Sequence, residues 1–260
     1  MKDLLKNVRP LAAIATLSTL SVALLSGCQP SETITKDTTK TVEDDKAASK
    51  VITKAGQPPQ LELDYSSVPL PNFAAIKVTA DKKNTFFNYL RPMVTAQNLQ
   101  IQAWRDYLLS IEAILQQQGQ PHEDDQRWLE QLARLHRLQP QPASSQIPTL
   151  LKMIGEIPEA LVLAQAANES AWGTSRFARE GNNLFGMWCF TPGCGITPRH
   201  RPADASYEVR AFPSVAAGVY RYFVNLNANR SYRPLRNIRS CLEQNQAPLS
   251  GRALAAGLTE

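Results

Sequence analysis

Glu169 is a residue whose type and position suit it to transfer a proton. It follows a run of small and apolar residues and precedes Ser170–Gly173 directly. The start signal Ile157-Pro158-Glu159 predicts a helix that begins there and stops near Gly173, which puts Glu169 close to its C-terminal end. The negative end of the helix dipole and buried, apolar surroundings would both favour the protonated carboxyl group. Such a glutamate can serve as a general acid, which the cleavage of a glycosidic bond requires.

Two strings around this glutamate carry a resemblance to a known family. They are Ala164-Gln165-Ala166-Ala167-Asn168-Glu169-Ser170-Ala171-Trp172-Gly173 and Asn182-Asn183-Leu184-Phe185-Gly186. Together they resemble the signature of bacterial peptidoglycan glucosaminidases, which are endo-β-N-acetylglucosaminidases of flagellar and autolysin type. The segment Ser175–Glu180 and the insertion Trp188–Gly195 look closer to the Bax-like branch. The resemblance is specific over 150–258 and looser over 82–138; it implies a lysozyme-like fold, no cofactor, and Glu169 as the catalytic acid.

A partner for this acid is harder to assign. Family members that have a second carboxylate place it in a variable β-rich lobe, and that part of this sequence offers Glu208 and Asp204. Glu208 is the first choice for a second catalytic residue, and a mechanism assisted by the substrate's own acetamido group stays open. The stretch Asn229–Tyr232 resembles the family's Asn-Pro-Arg-Tyr motif, which implies that Tyr232 lies at the active site.

The remaining candidates concern substrate binding and the surface. We expect Asn183, Phe185 and Trp188 to contact the substrate, because flat rings match the apolar faces of sugars, whereas Trp172 is assigned to the core. Four arginines recur at every third position and predict a solvated helix face, with attraction to the acidic peptides of the cell wall as the alternative: Arg230, Arg233, Arg236 and Arg239. The histidines outside the proposed site, His122 and His136, are expected at the surface.

Four cysteines bear on the compartment. Cys189 and Cys194 can close a small loop in an oxidising periplasm, and pairing of one of them with Cys241 is the alternative. A zinc site formed by Cys189, Cys194 and His200 lacks a convincing fourth ligand, so we expect no metal.

The N-terminus resembles a bacterial lipoprotein signal. A basic start is followed by the apolar run Leu11–Leu25 and then by Ser26-Gly27-Cys28. This resemblance implies that residues 1–27 are a signal peptide and that Cys28 carries a lipid anchor. Gln29 in the next position favours the periplasmic face of the outer membrane. The polar, threonine-rich residues 28–68 are expected to form a disordered tether.

The rest of the chain supplies the elements that position these residues. Residues 69–147 predict a helical subdomain, with Pro92 kinking or dividing its first helix and a proline-rich break over 139–148. Residues 148–260 predict the glucosaminidase domain, with a short strand near Glu208 in a small β-containing lobe. Bax-like relatives continue further, which implies a C-terminal truncation. The expected fold class is therefore mainly α (α+β).

Composition excludes several functions. The chain has 260 residues and a formal net charge of +5, part of which belongs to the signal segment, so the charge does not argue for nucleic acid. Its only long apolar run is at the N-terminus, which excludes a multispanning membrane protein. We expect an enzyme that cuts peptidoglycan glycan strands after N-acetylglucosamine. The alternatives are a muramidase or lytic transglycosylase on the same scaffold, and a silent wall-binding lipoprotein.

Overall fold

The structure, a computed structural model, describes residues 57–61 and 68–258. The signal peptide 1–27, the lipidation site Cys28 and most of the tether 28–68 lie outside these residues, so those assignments stay predictions. Within the described part of the chain, no helix combines the length and the apolar composition needed to cross a membrane.

Eight α-helices and three short strands make up the described chain. Their bounds are α1 Thr79–Gln118, α2 Glu123–Leu135, α3 Ala143–Met153, α4 Glu159–Glu169, α5 Arg176–Gly181, β1 Trp188–Cys189, β2 Gly195–Ile196, β3 Glu208–Arg210, α6 Val215–Ala228, α7 Arg233–Gln244 and α8 Gly251–Ala255. Two 3₁₀ turns, Phe73–Ala75 and Arg230–Tyr232, precede α1 and α7. The mainly helical α+β class is confirmed.

Helix α1 is the longest helix of the described chain. It runs unbroken for 40 residues, so of the two effects expected of Pro92 the division into two helices is wrong. Residues at three- and four-residue steps, among them Phe86, Leu90 and Leu108, form its buried stripe. This stripe packs against α3, α4 and α6 together, which explains why the helix continues through a proline.

One hydrophobic core joins the two expected subdomains. The core extends from Phe73 through α1 and α2 to Leu254 of α8. Helix α3 crosses the expected boundary at 147/148 and has Pro148 in its interior, so the proline-rich break over 139–148 is wrong in its second half. Ile147 and Leu150 of α3 are fully buried, because they fill the space between α1 and the later helices.

Part of the expected tether is bound to the helices. The indole of Trp128 donates to the carbonyl of Pro59 at 2.8 Å. The carbonyl of Gln60 accepts from Trp104 Nε1 at 2.8 Å and from Gln100 Nε2 at 3.2 Å. Indole N–H groups on a buried helix face need acceptors, and an extended backbone supplies them. The expectation of a free tether up to residue 68 is therefore wrong at 57–61.

His136 is buried, contrary to the expectation for this residue, whereas His122 is exposed. The His136 ring is 1% exposed, packs edge-on against Trp104, and its Nδ1 lies 2.9 Å from the carbonyl oxygen of Leu132. Burial lowers its pKa to about 4.

The arginine series divides into two pairs. Arg230 and Arg233 are exposed, but Arg236 and Arg239 are buried, so a solvated face is wrong for them. Arg239 donates to the carbonyls of Met153 and Gly155 at 2.6 and 2.8 Å and to Asn227 Oδ1 at 2.8 Å. It thereby satisfies the carbonyl groups where the chain leaves α3, which ties α3 to α6 and α7.

A small antiparallel sheet forms the β-containing lobe. Its strand order is β1-β3-β2, with Trp188 opposite Val209 and Gly195 opposite Arg210. The strand expected near Glu208 is present as β3. The backbone N–H of Arg210 also donates to Met187 O at 2.9 Å, which attaches the lobe to the residues that follow the Asn-Leu-Phe-Gly string.

Candidate active site

Glu169 is the last residue of α4 and its side chain is exposed. The expectation of buried surroundings for this carboxylate is therefore wrong. Its Oε2 atom faces the backbone of Gly186, where an ideal Cβ atom would lie 3.4 Å away. Gly186 has φ 62°, a left-handed conformation that glycine adopts without strain. The absence of a side chain at this position leaves one side of the carboxylate open.

The turn after Glu169 has a constrained backbone conformation. Ala171, Trp172 and Gly173 all have positive φ values, of 51°, 59° and 74°. Such angles are unfavourable for residues other than glycine and persist where the surroundings enforce them. Here the buried Ser170 hydroxyl donates to Ala166 O at 2.6 Å and accepts from Gly173 N at 2.8 Å.

The ring of Phe73 also presses on this turn. A Cβ atom at Gly173 would lie 2.4 Å from Phe73 Cδ2, so only glycine fits there. Trp172 is half-buried against Phe86 and Phe87, in agreement with its assignment to the core.

Asn183 holds the opposite side of the site and does not face substrate. It is 1% exposed, and its side-chain amide makes four hydrogen bonds. Its Nδ2 donates to the carbonyls of Met187 and Arg210, both at 2.9 Å, and its Oδ1 accepts from the N–H groups of Phe185 and Met187, both at 3.2 Å. The expectation of a substrate contact is wrong, because every polar atom of the side chain is used to hold the turn that carries Gly186.

Phe185 is also buried and does not line a cleft as expected. Its ring stacks on Tyr222 of α6, with centroids 4.0 Å apart and planes 10° from parallel. Phe185 therefore serves to position Tyr222.

Tyr222 was not singled out from the sequence, where it is simply part of the buried stripe of α6. The residue is 6% exposed, and its hydroxyl has no hydrogen-bond partner among the described residues. Burial raises the pKa of Tyr222, and the neighbouring Tyr232 and Glu169 raise it further. A hydroxyl on a buried face is a signal that could have found it, because such a group needs a partner.

Tyr232 lies near Tyr222, which in turn is near Glu169. It ends the 3₁₀ turn Arg230–Tyr232, which Asn229 caps by accepting from Ser231 N at 3.1 Å. Its side chain is half-buried and close enough to Tyr222 to affect its ionisation. The structure thus brings together one carboxylate and two phenol groups, those of Glu169, Tyr222 and Tyr232.

Glu208 is occupied in holding a loop. Its two carboxylate oxygens accept from Gly193 N at 3.1 Å and Gly195 N at 2.7 Å, and the side chain is 8% exposed. These backbone hydrogen bonds hold the pKa of the Glu208 carboxyl below its usual value. Asp204, the other candidate, is exposed on the 201–207 loop. Neither residue interacts with Glu169 in any contact or charge effect that the described residues show.

The loop around Glu208 is closed by a disulfide bond between Cys189 and Cys194. The sulfur atoms and a Glu208 oxygen lie within 4.8 Å of one another, a grouping that can hold a metal ion in other proteins. Zinc needs thiolates, however, and the sulfur atoms here are bonded to each other, so the donor set does not fit a metal.

Trp188 is half exposed at the edge of the lobe. Its ring stacks on Tyr207, with centroids 4.3 Å apart and planes 23° from parallel, and 51% of its surface is accessible. Two parallel, partly exposed rings form a flat apolar surface. Of the three expected substrate contacts, Trp188 alone has a side chain placed to make one.

The sequence of this chain is similar to those of known proteins. Residues 149–253 match the model of the glucosaminidase family, described as mannosyl-glycoprotein endo-beta-N-acetylglucosaminidase. This chain carries a glucosaminidase-family domain. It is also 32% identical over 190 residues to Protein bax of Escherichia coli (strain K12), which confirms the Bax-like resemblance.

The similarity to this relative covers part of each chain. The aligned stretch is 72% of this chain and 66% of the relative, which is just under two thirds of the relative's length. No solved structure matches the chain. The glucosaminidase match supports a glycosidase acting on a glycan, and Glu169, Tyr222 and Tyr232 all lie within the matched segment.

Proposed function

We propose that this protein hydrolyses the glycan strands of peptidoglycan after N-acetylglucosamine, with Glu169 as the general acid. The observation that carries the proposal is the cluster of Glu169, Tyr222 and Tyr232 within a glucosaminidase-family domain. An exposed carboxylate beside a glycine backbone leaves room for a sugar chain. A general acid in this position can protonate the oxygen of the departing sugar as its bond to the anomeric carbon breaks.

The surroundings of Glu208 support a substrate-assisted reaction. Both oxygens of Glu208 accept hydrogen bonds from loop amides, the residue is 8% exposed, and the described residues show no interaction between it and Glu169. We therefore assign Glu208 to ordering the loop. The carbonyl oxygen of the substrate's acetamido group then attacks the anomeric carbon, and the departing oxygen takes the proton of Glu169. Water subsequently attacks the anomeric carbon of the cyclic intermediate, and its proton returns to Glu169.

Tyr222 and Tyr232 suit the task of orienting this reaction. The Tyr222 hydroxyl is closed off from solvent and therefore from substrate, so its part is to donate to the Glu169 carboxylate as that group loses its proton. The half-buried Tyr232 is the phenol that can contact the acetamido group. Phe185 fixes the Tyr222 ring by stacking, so the hydroxyl loses little freedom when substrate binds.

A lytic transglycosylase is the second candidate. Glu169 is the one carboxylate in the described cluster, and such an enzyme also needs a single acidic glutamate. The two activities differ in their products, because the transglycosylase leaves anhydromuramic ends and the proposed hydrolase leaves reducing N-acetylglucosamine ends.

Membrane attachment through Cys28 is part of the proposal. The roughly 30 residues between Cys28 and the bound segment at 57–61 can span at most about 100 Å, which allows a lipid-anchored domain to reach the wall. Labelling with a radioactive fatty acid tests this: we expect label on the wild-type chain and none on Cys28→Ala. Label on both variants, or on neither, would contradict the anchor.

The activity is tested by dye release from labelled peptidoglycan with the signal-free protein. We expect Glu169→Gln to lower the rate by about 10²–10⁴-fold, the usual contribution of a general acid. Glu130→Gln, which changes an exposed glutamate on α2, is the matched control and should leave the rate unchanged. Equal rates for wild type and Glu169→Gln would refute the role of Glu169. No release by the wild type, with binding to the wall intact, would favour a silent wall-binding protein.

A further inference from the structure

A recess in the surface lies beside the aromatic pair Trp188 and Tyr207, outside the site described above. It encloses about 420 Å³ and is lined by six residues: Arg176, Phe177, Pro198, Arg199, His200 and Tyr207. We call it the arginine pocket. Neither the family match nor the reaction proposed above assigns it a role.

Arg176 builds one wall of the pocket. Its Nη2 donates to the carbonyl of Thr197 at 2.7 Å, which fastens the 197–200 loop to the first turn of α5. Its guanidinium carbon lies 5.1 Å from the centre of the Phe177 ring. The position of the cation is thus set by the protein before any ligand arrives.

Arg199 supplies a second cation, and it is exposed. Among the described residues, no carboxylate forms an ion pair with Arg199; the nearest ion pair at this pocket joins Arg176 to Glu180 at 3.9 Å. Cations fixed in an apolar, concave recess attract an anion more strongly than cations on an open surface. Guanidinium groups match carboxylates in particular, because they offer paired N–H donors.

The arginine pocket is close to the proposed catalytic acid. Tyr207 belongs to the pocket and also stacks on Trp188, two residues beyond Gly186, whose backbone faces the Glu169 carboxylate. Two residues span at most about 7 Å. A sugar bound against the aromatic pair therefore places its substituents within reach of the pocket.

We propose that the arginine pocket binds a carboxylate of the stem peptide of peptidoglycan. This inference rests on the proposed function. The sugars of the strand are neutral, and the carboxylates of the polymer are carried by the peptides on its muramic acid residues. An enzyme that cuts after N-acetylglucosamine has a peptide-bearing muramic acid on each side of that sugar. A cationic pocket beside a sugar-binding surface then selects strands that still carry their peptides.

Two substrates test the inference: intact peptidoglycan, and the same polymer whose carboxylates have been converted to neutral methylamides with a carbodiimide and methylamine. We expect Arg199→Gln to lower kcat/KM on the intact polymer by about fivefold, and to leave kcat/KM on the methylamidated polymer unchanged. The control is Arg179→Gln, an exposed arginine on α5 outside the pocket, which should behave as wild type on both. Equal effects of Arg199→Gln on the two substrates, or none on either, would overturn the inference and leave the proposed function standing.

A binding experiment separates the two failures. If the wild type cleaves neither substrate, the proposed function fails, and the pocket is tested by titration with N-acetylmuramyl dipeptide, which has a free carboxylate. We expect the wild type and Arg179→Gln to bind it, Arg199→Gln to bind at least fivefold more weakly, and affinity to fall with salt. Equal affinity of all three proteins, or no binding by the wild type, would overturn the inference.

Discussion

Removing the hydroxyl of Tyr222 should change stability and activity in opposite directions. This hydroxyl is buried and has no partner among the described residues, so the folded protein bears the cost of removing it from water. In proteins that cost is about 1–3 kcal/mol. Tyr222→Phe keeps the ring that stacks on Phe185 and deletes the unsatisfied group. We therefore expect a free energy of unfolding equal to that of the wild type or up to about 2 kcal/mol higher.

The same change should slow the reaction. If the hydroxyl donates to the Glu169 carboxylate as that group loses its proton, the substitution removes a hydrogen bond of about 1.5–3 kcal/mol, which corresponds to about a tenfold to hundredfold drop in kcat/KM. Urea unfolding followed by circular dichroism measures the stability, and release of dye from labelled peptidoglycan measures the rate.

Tyr89→Phe is the matched control. The hydroxyl of Tyr89 donates to Val68 O at 2.9 Å, so its loss should cost about 1 kcal/mol of stability and leave the rate unchanged. A Tyr222→Phe protein that is clearly less stable than the wild type would contradict the claim that the Tyr222 hydroxyl has no hydrogen-bond partner. One that is stable and fully active would refute its part in the reaction.

Three further changes test other parts of the account. Burial holds the pKa of His136 near 4, below the ordinary value of 6.5, so the folded chain binds fewer protons than the unfolded chain between these values. The resulting stability, about 3 kcal/mol, is fully present above pH 6.5 and is lost as the pH falls through 4. His136→Leu should therefore flatten the dependence of the urea unfolding midpoint on pH in this range. An unchanged slope would contradict the burial of a neutral His136. Gly155→Ala places a Cβ atom 2.5 Å from Arg239 Nε, so it should lower the free energy of unfolding by about 1–3 kcal/mol in the same assay. An unchanged urea midpoint would show that the Arg239 side chain can move away. Glu208→Gln puts a side-chain amide where the N–H groups of Gly193 and Gly195 need acceptors, so this loop should exchange its amide hydrogens faster. The value of kcat should fall less than about tenfold. A loss of kcat as large as that of Glu169→Gln would show that Glu208 is a catalytic residue.

Local signals predicted the parts of the site that are close together in sequence. The helix ending at Glu169 follows from its proline start and its glycine-containing end, and the strand at Glu208 follows from alternation. These features depend on backbone preferences over a few residues, so a single sequence is enough to find them.

Long-range partners could not be predicted in this way. His136 and Arg239 look like surface residues because their types usually are, and only tertiary packing buries them. His136 lies against Trp104 of α1, and Arg239 lies between the end of α3 and Asn227 of α6. Asn183 looks like a substrate ligand until Met187 and Arg210 are seen to occupy its amide. Tyr222 has the spacing of a core residue, and its importance depends on the distant Glu169 and Tyr232.

The central claim is tested most directly by the ends that the protein leaves on peptidoglycan. Purified, signal-free protein and its Glu169→Gln variant would be incubated with intact sacculi, and the released fragments would be identified by mass spectrometry. We predict new reducing N-acetylglucosamine ends with the wild type and none with the variant. Muramic or anhydromuramic ends would contradict the assigned bond while keeping Glu169 as the acid, and N-acetylglucosamine ends produced equally by the variant would contradict the role of Glu169 itself.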